Sequence, residues 1–427
     1  MAFLPTASSW GFHATEEEMN NTIDIWKERG FVSQTSDETA VRRAFDAGPV
    51  TCYIGFDPTA PSFHVGNLVQ IMALTHLQRN GHRPVALVGA GTAMIGDPSG
   101  KTELRRMLTP DHIDQHITRL KSQLSRYLDF DTGALLVNNG DWLRELNYIE
   151  FLREVGVHFS VNRMLAAEAY KIRMETGLTF LEFNYQVLQA YDFLMLYRNY
   201  GCTLQMGGDD QWGNILAGVD LIRRIDRGAA EAVTTPLITT ADGKKMGKTA
   251  AGAIWLDAEK MSPYDYYQFW INTDDRDVER FLALFTFLPM DEVRRLGRLR
   301  NADIREAKRT LAHEATKITH GEAEALKAEQ AARSVFEGQG DMENVPTTRL
   351  NRTRLEQGLN VIDLFAECGM GQSKSDVRRL IQQGGASVNG VAVTGIETTV
   401  TLRNADENGV MVLRAGKKRY HRVIIET

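Results

Sequence analysis

Val50-Thr-Cys-Tyr-Ile-Gly-Phe56 is followed by the turn Asp57-Pro-Thr59 and then by His64-Val-Gly66-Asn67, which opens the run Leu68-Val-Gln-Ile-Met-Ala-Leu-Thr-His-Leu-Gln78. The first stretch is short and rich in apolar and aromatic residues, as a core strand requires. The last carries apolar residues at helical spacing, with Gly81 as its stop. Pro84-Val-Ala-Leu-Val-Gly89 then reads as a second strand. Two strands joined through a helix must run parallel, so this stretch predicts a βαβ unit with His64 to Asn67 at a helix N-terminus.

The pattern extends in both directions. Glu16 to Arg29 and Asp37 to Asp46 have helical character, and Ala134-Leu-Leu-Val-Asn138 and Thr203-Leu-Gln-Met-Gly207 are strand-like, separated by long helical stretches. Strands alternating with helices predict an α/β domain with a doubly wound parallel sheet, placed at residues 1–250. From Tyr264 to Phe336 the strand signals stop, helical periodicity continues and Arg294, Arg295, Arg298, Arg300 and Arg305 accumulate, which predicts an α-helical domain over 251–340. Gly338, Gly340, Pro346 and several polar residues give Phe336 to Gln357 the composition of a linker, which is placed at 341–357. Residues 358–427 open with two helical runs and close on β-like segments, a small α+β module.

With 427 residues, 43% hydrophobic and 24% charged, the chain can bury a large core under an ordinary polar surface. The region from Met1 to Gly30 has no apolar run of signal-peptide length, and no stretch reaches the roughly 20 apolar residues of a membrane span, so a cytoplasmic location without membrane contact is expected. Cys52, Cys202 and Cys368 are scattered and lack CxxC spacing, which indicates neither a disulfide framework nor a structural zinc site. The net charge of -6 conceals an uneven distribution: beyond Gly371 Lys and Arg outnumber Asp and Glu. A basic C-terminal module on an acidic body suits local contact with a polyanion.

Two glycine-rich patterns fail at single positions. Gly89-Ala-Gly91-Thr-Ala-Met94 starts like a dinucleotide fingerprint but has Met94 at the third glycine. Gly96-Asp-Pro-Ser-Gly100-Lys101-Thr102 ends like a phosphate loop with one residue too few between its glycines. Dehydrogenase and P-loop ATPase are disfavoured, and a tight Gly-Asp-Pro-Ser turn is the plainer reading.

His64-Val-Gly66-Asn67 at a helix N-terminus offers backbone N–H groups, the positive end of the helix dipole and an imidazole donor to phosphate, although a solvated histidine would look the same. Far downstream, Ala241-Asp-Gly-Lys244-Lys245-Met-Gly247-Lys248-Thr249 is a glycine-bearing loop with lysines three apart, which alone would be an ordinary surface loop. Together, in this order, the two resemble the HIGH and KMSKS signatures of class I aminoacyl-tRNA synthetases. They depart from them at Asn67, which can still donate a hydrogen bond, and at Gly247, where the signature has serine.

Tyr53-Ile-Gly-Phe-Asp57-Pro-Thr59, Gly96-Asp97-Pro-Ser-Gly100-Lys101, Asn184-Tyr185-Gln-Val-Leu-Gln189-Ala-Tyr-Asp192 and Gly207-Gly208-Asp-Asp210-Gln211-Trp-Gly-Asn214 resemble the bacterial-type tyrosyl-tRNA synthetases, over nearly the whole chain. The resemblance implies a Rossmann-like catalytic domain, a helical domain toward the anticodon and an S4-like RNA-binding module. It also implies that Tyr53 and Asp192 bond the substrate phenol, that Asp97, Tyr185 and Gln189 hold its ammonium, and that Asp210 and Gln211 hold ribose and carboxylate. Gln189 and Asp192, three apart, share a helix face, as one pocket requires. Gly55, Asp57, Gly66 and Gly208 join the ATP site, and Thr59, His64, Asn67, Lys245, Lys248 and Thr249 the catalytic and phosphate-binding set. Lys374, Arg378 and Arg379 are expected on RNA phosphate, a salt-bridged surface helix being the alternative.

The same resemblance implies ATP with Mg²⁺ and no structural metal, L-tyrosine and tRNA(Tyr) as substrates, and a homodimer. The rivals are a tryptophanyl enzyme, which has no phenol to bind, and a non-catalytic RNA-binding relative, which should have lost His64 or the lysine loop.

Overall fold

The computed structural model describes residues 21–99, 108–243, 245–249, 252–337, 345–371, 373–416 and 419–426. Its first sheet holds β1 (Gln34–Thr35), β2 (Thr51–Phe56), β3 (Arg83–Val88), β4 (Leu135–Asn138), β5 (Cys202–Gly208) and β6 (Glu231–Thr235), in the order β1-β6-β5-β2-β3-β4. All neighbours pair in parallel except β1, a two-residue edge strand antiparallel to β6. That edge departs from the parallel sheet expected, and its polar two-residue sequence gives no periodicity by which to find it.

The chain winds from β2 outward through β3 and β4, then returns to the other side of β2 with β5 and β6. The order therefore reverses between β2 and β5, and a crevice opens at the carboxyl ends of these strands, where open α/β sheets bind ligands. Along β2 the side chains alternate between two cores. Cys52, Ile54 and Phe56 pack with Leu68, Ile71 and Met72 of the helix Val65–Arg79, whereas Tyr53 faces Val85, Leu87 and Phe193 on the opposite side. Burial on both faces explains why this strand lacks the polar alternation of a surface sheet.

The helices Pro263–Ile271, Val278–Phe285, Met290–Gly297, Ile304–His320 and Glu322–Glu337 follow. Their Trp270, Phe281 and Leu311 share one apolar core with Trp26 and Leu77 beneath the sheet. The buried Arg29 guanidinium ties the two together by donating to the carbonyls of Ala283, Thr286 and Leu288. Between sheet and helices β7 (Lys248–Thr249) pairs antiparallel with β8 (Gly252–Ala253), one strand on either side of the 250/251 boundary expected from the sequence.

The last unit has its own core, with Leu364, Phe365, Met411, Leu413 and Val423. It contains β9 (Thr347–Asn351), β10 (Leu359–Asn360), β11 (Ala386–Val388), β12 (Val391–Ala392), β13 (Thr399–Val400), β14 (Val410–Ala415) and β15 (Arg419–Glu426). Its main sheet runs β12-β11-β14-β15-β9. β9 lies within the stretch that reads as linker: only its Leu350 is buried, so composition hid a strand that β15 recruits in parallel.

Candidate active site

The crevice holds a cavity of about 360 Å³. Tyr53, Gly55, Asp57, Thr59, His64, Gly66, Asn67, Asp97, Tyr185, Gln189, Asp192, Asp210, Gln211 and Lys245 all line it. These residues come from β2 and the loop after it, from the N-terminus of the helix Val65–Arg79, from the loops that follow β3 and β5, from the helix Tyr185–Tyr200 and from the lysine loop. Gly208 closes β5 behind Asp210, where a side chain would meet the Asp210 carboxylate at 2.5 Å. The side chains of Lys248 and Thr249 lie outside the described residues, as do Gly100 and Lys101.

Asp192 sits at the closed end of the cavity, 2% exposed. Its carboxylate accepts from Trp142 Nε1 at 2.8 Å and from Asn139 Nδ2 at 2.9 Å. Burial pushes its pKa up to about 7, against these two bonds, which lower it. A carboxylate has about four acceptor positions, so two bonds leave capacity for a third donor. Beside it the Tyr53 hydroxyl is buried and has no hydrogen-bond partner among the described residues, and the Gln189 carbonyl oxygen is orphaned in the same way. Burial first, and the Asp192 charge next, hold the Tyr53 phenol well above its usual range, so it stays a neutral donor and acceptor. Buried polar groups without partners carry a desolvation cost, which a ligand in this cavity would remove.

Asn139 orders this end of the cavity. Its Oδ1 accepts from the Gly91 amide at 2.8 Å while its Nδ2 reaches Thr92 Oγ1 at 3.0 Å, and Thr92 donates to Asp57 Oδ1 at 2.7 Å. Here the near-miss glycines have their use. A side chain at Gly89 would lie 2.1 Å from Asp57 Oδ1, and one at Gly91 would strike Leu143 at 2.8 Å. Gly89 clears space for the polar network and Gly91 for the side chain of Leu143, not for a dinucleotide.

Toward the cavity mouth, Tyr185 donates to Asp57 Oδ2 at 2.9 Å, and Gln211 Nε2 donates to Asp97 Oδ2 at 2.8 Å. The Ser99 amide donates to Asp97 Oδ1 at 2.8 Å, which is the Gly-Asp-Pro-Ser turn expected from the sequence. Burial raises the carboxyls of Asp97 and Asp210, each also raised by a neighbouring carboxylate, while Lys245 lowers that of Asp210. A mouth crowded with carboxylates favours a cationic group among them.

His64 is the N-cap of the helix Val65–Arg79. Its Nδ1 accepts from the Gly66 amide at 3.0 Å, and Asn67 Oδ1 accepts from the His64 amide at 3.2 Å, a reciprocal capping box. An accepting Nδ1 puts the ring proton on Nε2. The lysine loop docks on this turn. Val65 N–H donates to the Ile254 carbonyl at 2.9 Å, Ile254 N–H to the Gly247 carbonyl at 3.1 Å, and Met246 is buried beneath.

Residues 46–337 match the family of class I tRNA synthetases (W and Y), and residues 337–423 match the SYY-like C-terminal domain of tyrosine--tRNA ligases. The tyrosine--tRNA ligase of Caldanaerobacter subterraneus subsp. tengcongensis is 54% identical over 407 residues, 95% of this chain and all of that protein. That of Clostridium tetani is 54% identical over 408 residues, with 95% and 100% covered. The chain belongs to the tyrosine--tRNA ligases, within the class I tRNA synthetases. A C-terminally truncated mitochondrial tyrosyl-tRNA synthetase from Aspergillus nidulans has the same fold, with a TM-score of 0.67, 31% identity, and 74% of this chain and 94% of that one covered.

Within this synthetase fold the two departures from the class signatures have local causes. Asn67 completes the capping box, and Gly247 has φ of +91° and no room for a side chain. Asn139, Trp142 and Thr92 went unnoticed in the sequence because each is unremarkable alone. Their one signal is Asn139's position directly after β4, at the carboxyl edge of the sheet. In the last unit, Lys374 pairs with Asp363 at 2.7 Å and Arg379 with Asp376 at 2.9 Å, while Arg378 is exposed. Such exposed pairs contribute about 0–1 kcal/mol, so they leave these side chains able to exchange partners.

Proposed function

We propose that this chain activates L-tyrosine with ATP to tyrosyl-adenylate, releasing pyrophosphate, and then transfers the tyrosyl group to the 3′ end of tRNA(Tyr). The observation that carries the reading is the buried Tyr53 hydroxyl, without a hydrogen-bond partner among the described residues, beside the Asp192 carboxylate. A phenol entering there donates to Asp192 and accepts from Tyr53, completing both. Phenylalanine would leave both wanting.

At the cavity mouth Asp97, Tyr185 and Gln189 are proposed to hold the ammonium, and Gln211 the carboxylate. An oxygen of that carboxylate attacks the α-phosphorus, and the bond to the bridging oxygen of pyrophosphate breaks, with no covalent enzyme intermediate. Positioning and charge then carry the catalysis. The N-terminus of the helix Val65–Arg79, with Gly66 and Asn67, supports phosphate binding there; Thr59 and His64 are proposed to meet the reacting phosphate, and Lys245, Lys248 and Thr249 the departing one. Gly55, Asp57, Gly208 and Asp210 are proposed around the nucleoside. Mg²⁺ is proposed to enter with the nucleotide's phosphates.

Lys374, Arg378 and Arg379 are proposed to contact RNA phosphate. No helix among the described residues is long and apolar enough to cross a membrane. The exposed Tyr148, Ile149, Val157, Val161 and Phe180 support the expected homodimer, since apolar side chains clustered along one segment favour a partner surface. Pyrophosphate exchange with tyrosine, phenylalanine and tryptophan offered separately tests the reading. Exchange with tyrosine alone is the expected result, and equal exchange with tryptophan would overturn it.

A further inference from the structure

The lysine loop is held at its root by three side chains of the helical region, none of which lines the cavity of the active site. Asp277, 3% exposed, accepts from the Ala241 amide with Oδ2 at 2.7 Å and from Arg280 Nη2 with Oδ1 at 2.7 Å. The same Arg280 nitrogen donates to the Thr239 carbonyl. Arg276 Nη2 donates to Asp242 Oδ1 at 2.8 Å, and Lys308 on the helix Ile304–His320 pairs with Asp275 in the same turn. Backbone and side chain of residues 239–242 are thus fastened from one side at Thr239, Ala241 and Asp242.

What this root controls is visible in the loop itself. Thr239 forms a β-bridge with Lys245, and Met246 N–H donates to the Ile238 carbonyl at 2.8 Å. The Lys245 backbone is therefore in register with the clamped segment. A shift at Thr239 moves Lys245 with it, while the far side of the loop is fixed on the helix N-terminus through Gly247 and Ile254. Lys245 is exposed at the cavity mouth, so packing does not position it, and its placement depends on its backbone.

We propose that Asp277, with Arg280, is a positioning residue for adenylate formation, holding the lysine loop where Lys245 reaches the leaving pyrophosphate. This rests on the tyrosine-activating function proposed for the chain. Neither residue touches substrate; both act through the loop. A buried carboxylate suits the task because it accepts from a backbone amide and a guanidinium at once, fixing the root in two directions.

The test is a double-variant cycle read by single-turnover adenylate formation, with equilibrium tyrosine binding measured beside it. Asp277→Ala is expected to slow adenylate formation roughly 10- to 100-fold, as displacement of a charge-stabilising group does. Its tyrosine affinity should stay within about twofold, because the phenol and ammonium subsites are untouched. Arg280→Ala, on a side chain largely outside the core, should slow the step in the same sense, and Asp277→Asn should restore part of the rate. In Asp277→Ala combined with Lys245→Ala, the rate should fall no further than with Lys245→Ala alone. Multiplying losses, or a parallel loss of tyrosine binding, would mean that Asp277 serves the fold and would overturn the inference. So would a normal rate in both Asp277→Ala and Arg280→Ala while Lys245→Ala is slow. A normal rate in Lys245→Ala itself would instead bring down the catalytic reading of the loop, and this inference with it.

Discussion

A methyl group placed on Gly247 would lie 2.8 Å from the Gly66 amide nitrogen and 3.1 Å from His64 Nδ1. The lysine loop and the helix N-terminus therefore meet through two glycines, backbone against backbone, and the loop residue also needs the left-handed region at φ +91°. Serine, which the class signature has at this position, would not fit the loop as it is folded here. The departure at Gly247 is thus a condition of this docked arrangement.

Gly247→Ala should undock the loop. Left-handed strain costs about 1–3 kcal/mol, and the contact with Gly66 adds to it. Adenylate formation is expected to slow markedly while equilibrium tyrosine binding persists. A variant with the parent rate would show that the docked arrangement is not the one used in the reaction.

Asp192→Asn should lose discrimination more than stability. Asn139 Nδ2 and Trp142 Nε1 donate to different oxygens of Asp192, so an amide there sets its NH2 against one of them and leaves the incoming phenol to compete for a single neutral carbonyl oxygen. An unsatisfied group of this kind costs about 1–3 kcal/mol, which predicts a fall of roughly 5- to 150-fold in tyrosine-over-phenylalanine selectivity. Comparing kcat/KM for the two amino acids in pyrophosphate exchange is the check. Undiminished selectivity would remove Asp192 from the phenol site.

The same carboxyl predicts a pH dependence. Burial raises its pKa to about 7 in the unliganded protein, so it takes up a proton as pH falls through that value. Its contribution to stability is accordingly present below its unfolded value and lost as pH rises through about 7. A phenol donor favours the ionised form, so tyrosine binding should strengthen as pH rises from about 6 to about 8, with proton release on the acid side. Isothermal titration in buffers of different ionisation enthalpy measures this. Asp192→Asn should abolish the proton release, and an unchanged release would assign it to another group.

Lys245→Ala and Lys248→Ala should reduce the rate of activation far more than they weaken tyrosine binding, since charge on the leaving pyrophosphate develops only in the reaction. Single-turnover adenylate formation against equilibrium binding separates the two effects. Equal losses in both would make the loop structural.

Removing everything beyond about residue 341 should leave pyrophosphate exchange intact and abolish charging of tRNA(Tyr), because all the cavity-lining residues among those described precede it and the last unit has its own core. The truncation removes an apolar contact in which Tyr264 and Ala331 of the body pack with Val345 and Tyr420 of the last unit. Both half-reactions should be followed at low and moderate salt, since phosphate contacts weaken as salt rises. Charging that survives truncation at moderate salt would make the last unit dispensable. Loss of exchange would mean that it supports the catalytic fold.

Local sequence was enough for the βαβ opening. In Val50 to Gln78 the apolar period changes across one turn, and the structure places a strand, a capped helix and His64 at its N-terminus where that change predicts them. It was not enough for β1, whose Gln34 and Thr35 have strand geometry only because β6 offers an open edge, nor for β9, whose pairing partner lies at the far end of the chain. Tyr53, Asp97, Tyr185, Gln189 and Asp192 stood out only as part of a recurring pattern; taken singly, each would have passed for a core aromatic or an exposed helix residue.

What the sequence by itself determined is therefore the set of elements whose causes lie within a few residues: periodicity, caps and turns. Tertiary structure alone decided which polar atoms are left without partners, and hence what the cavity takes. Asn139 and Trp142 reach Asp192 across some fifty residues of chain, and Asp277 reaches the Ala241 amide across thirty-six. Hydrogen bonds and desolvation depend on distance in space, which residue spacing encodes only inside a single helix, strand or turn.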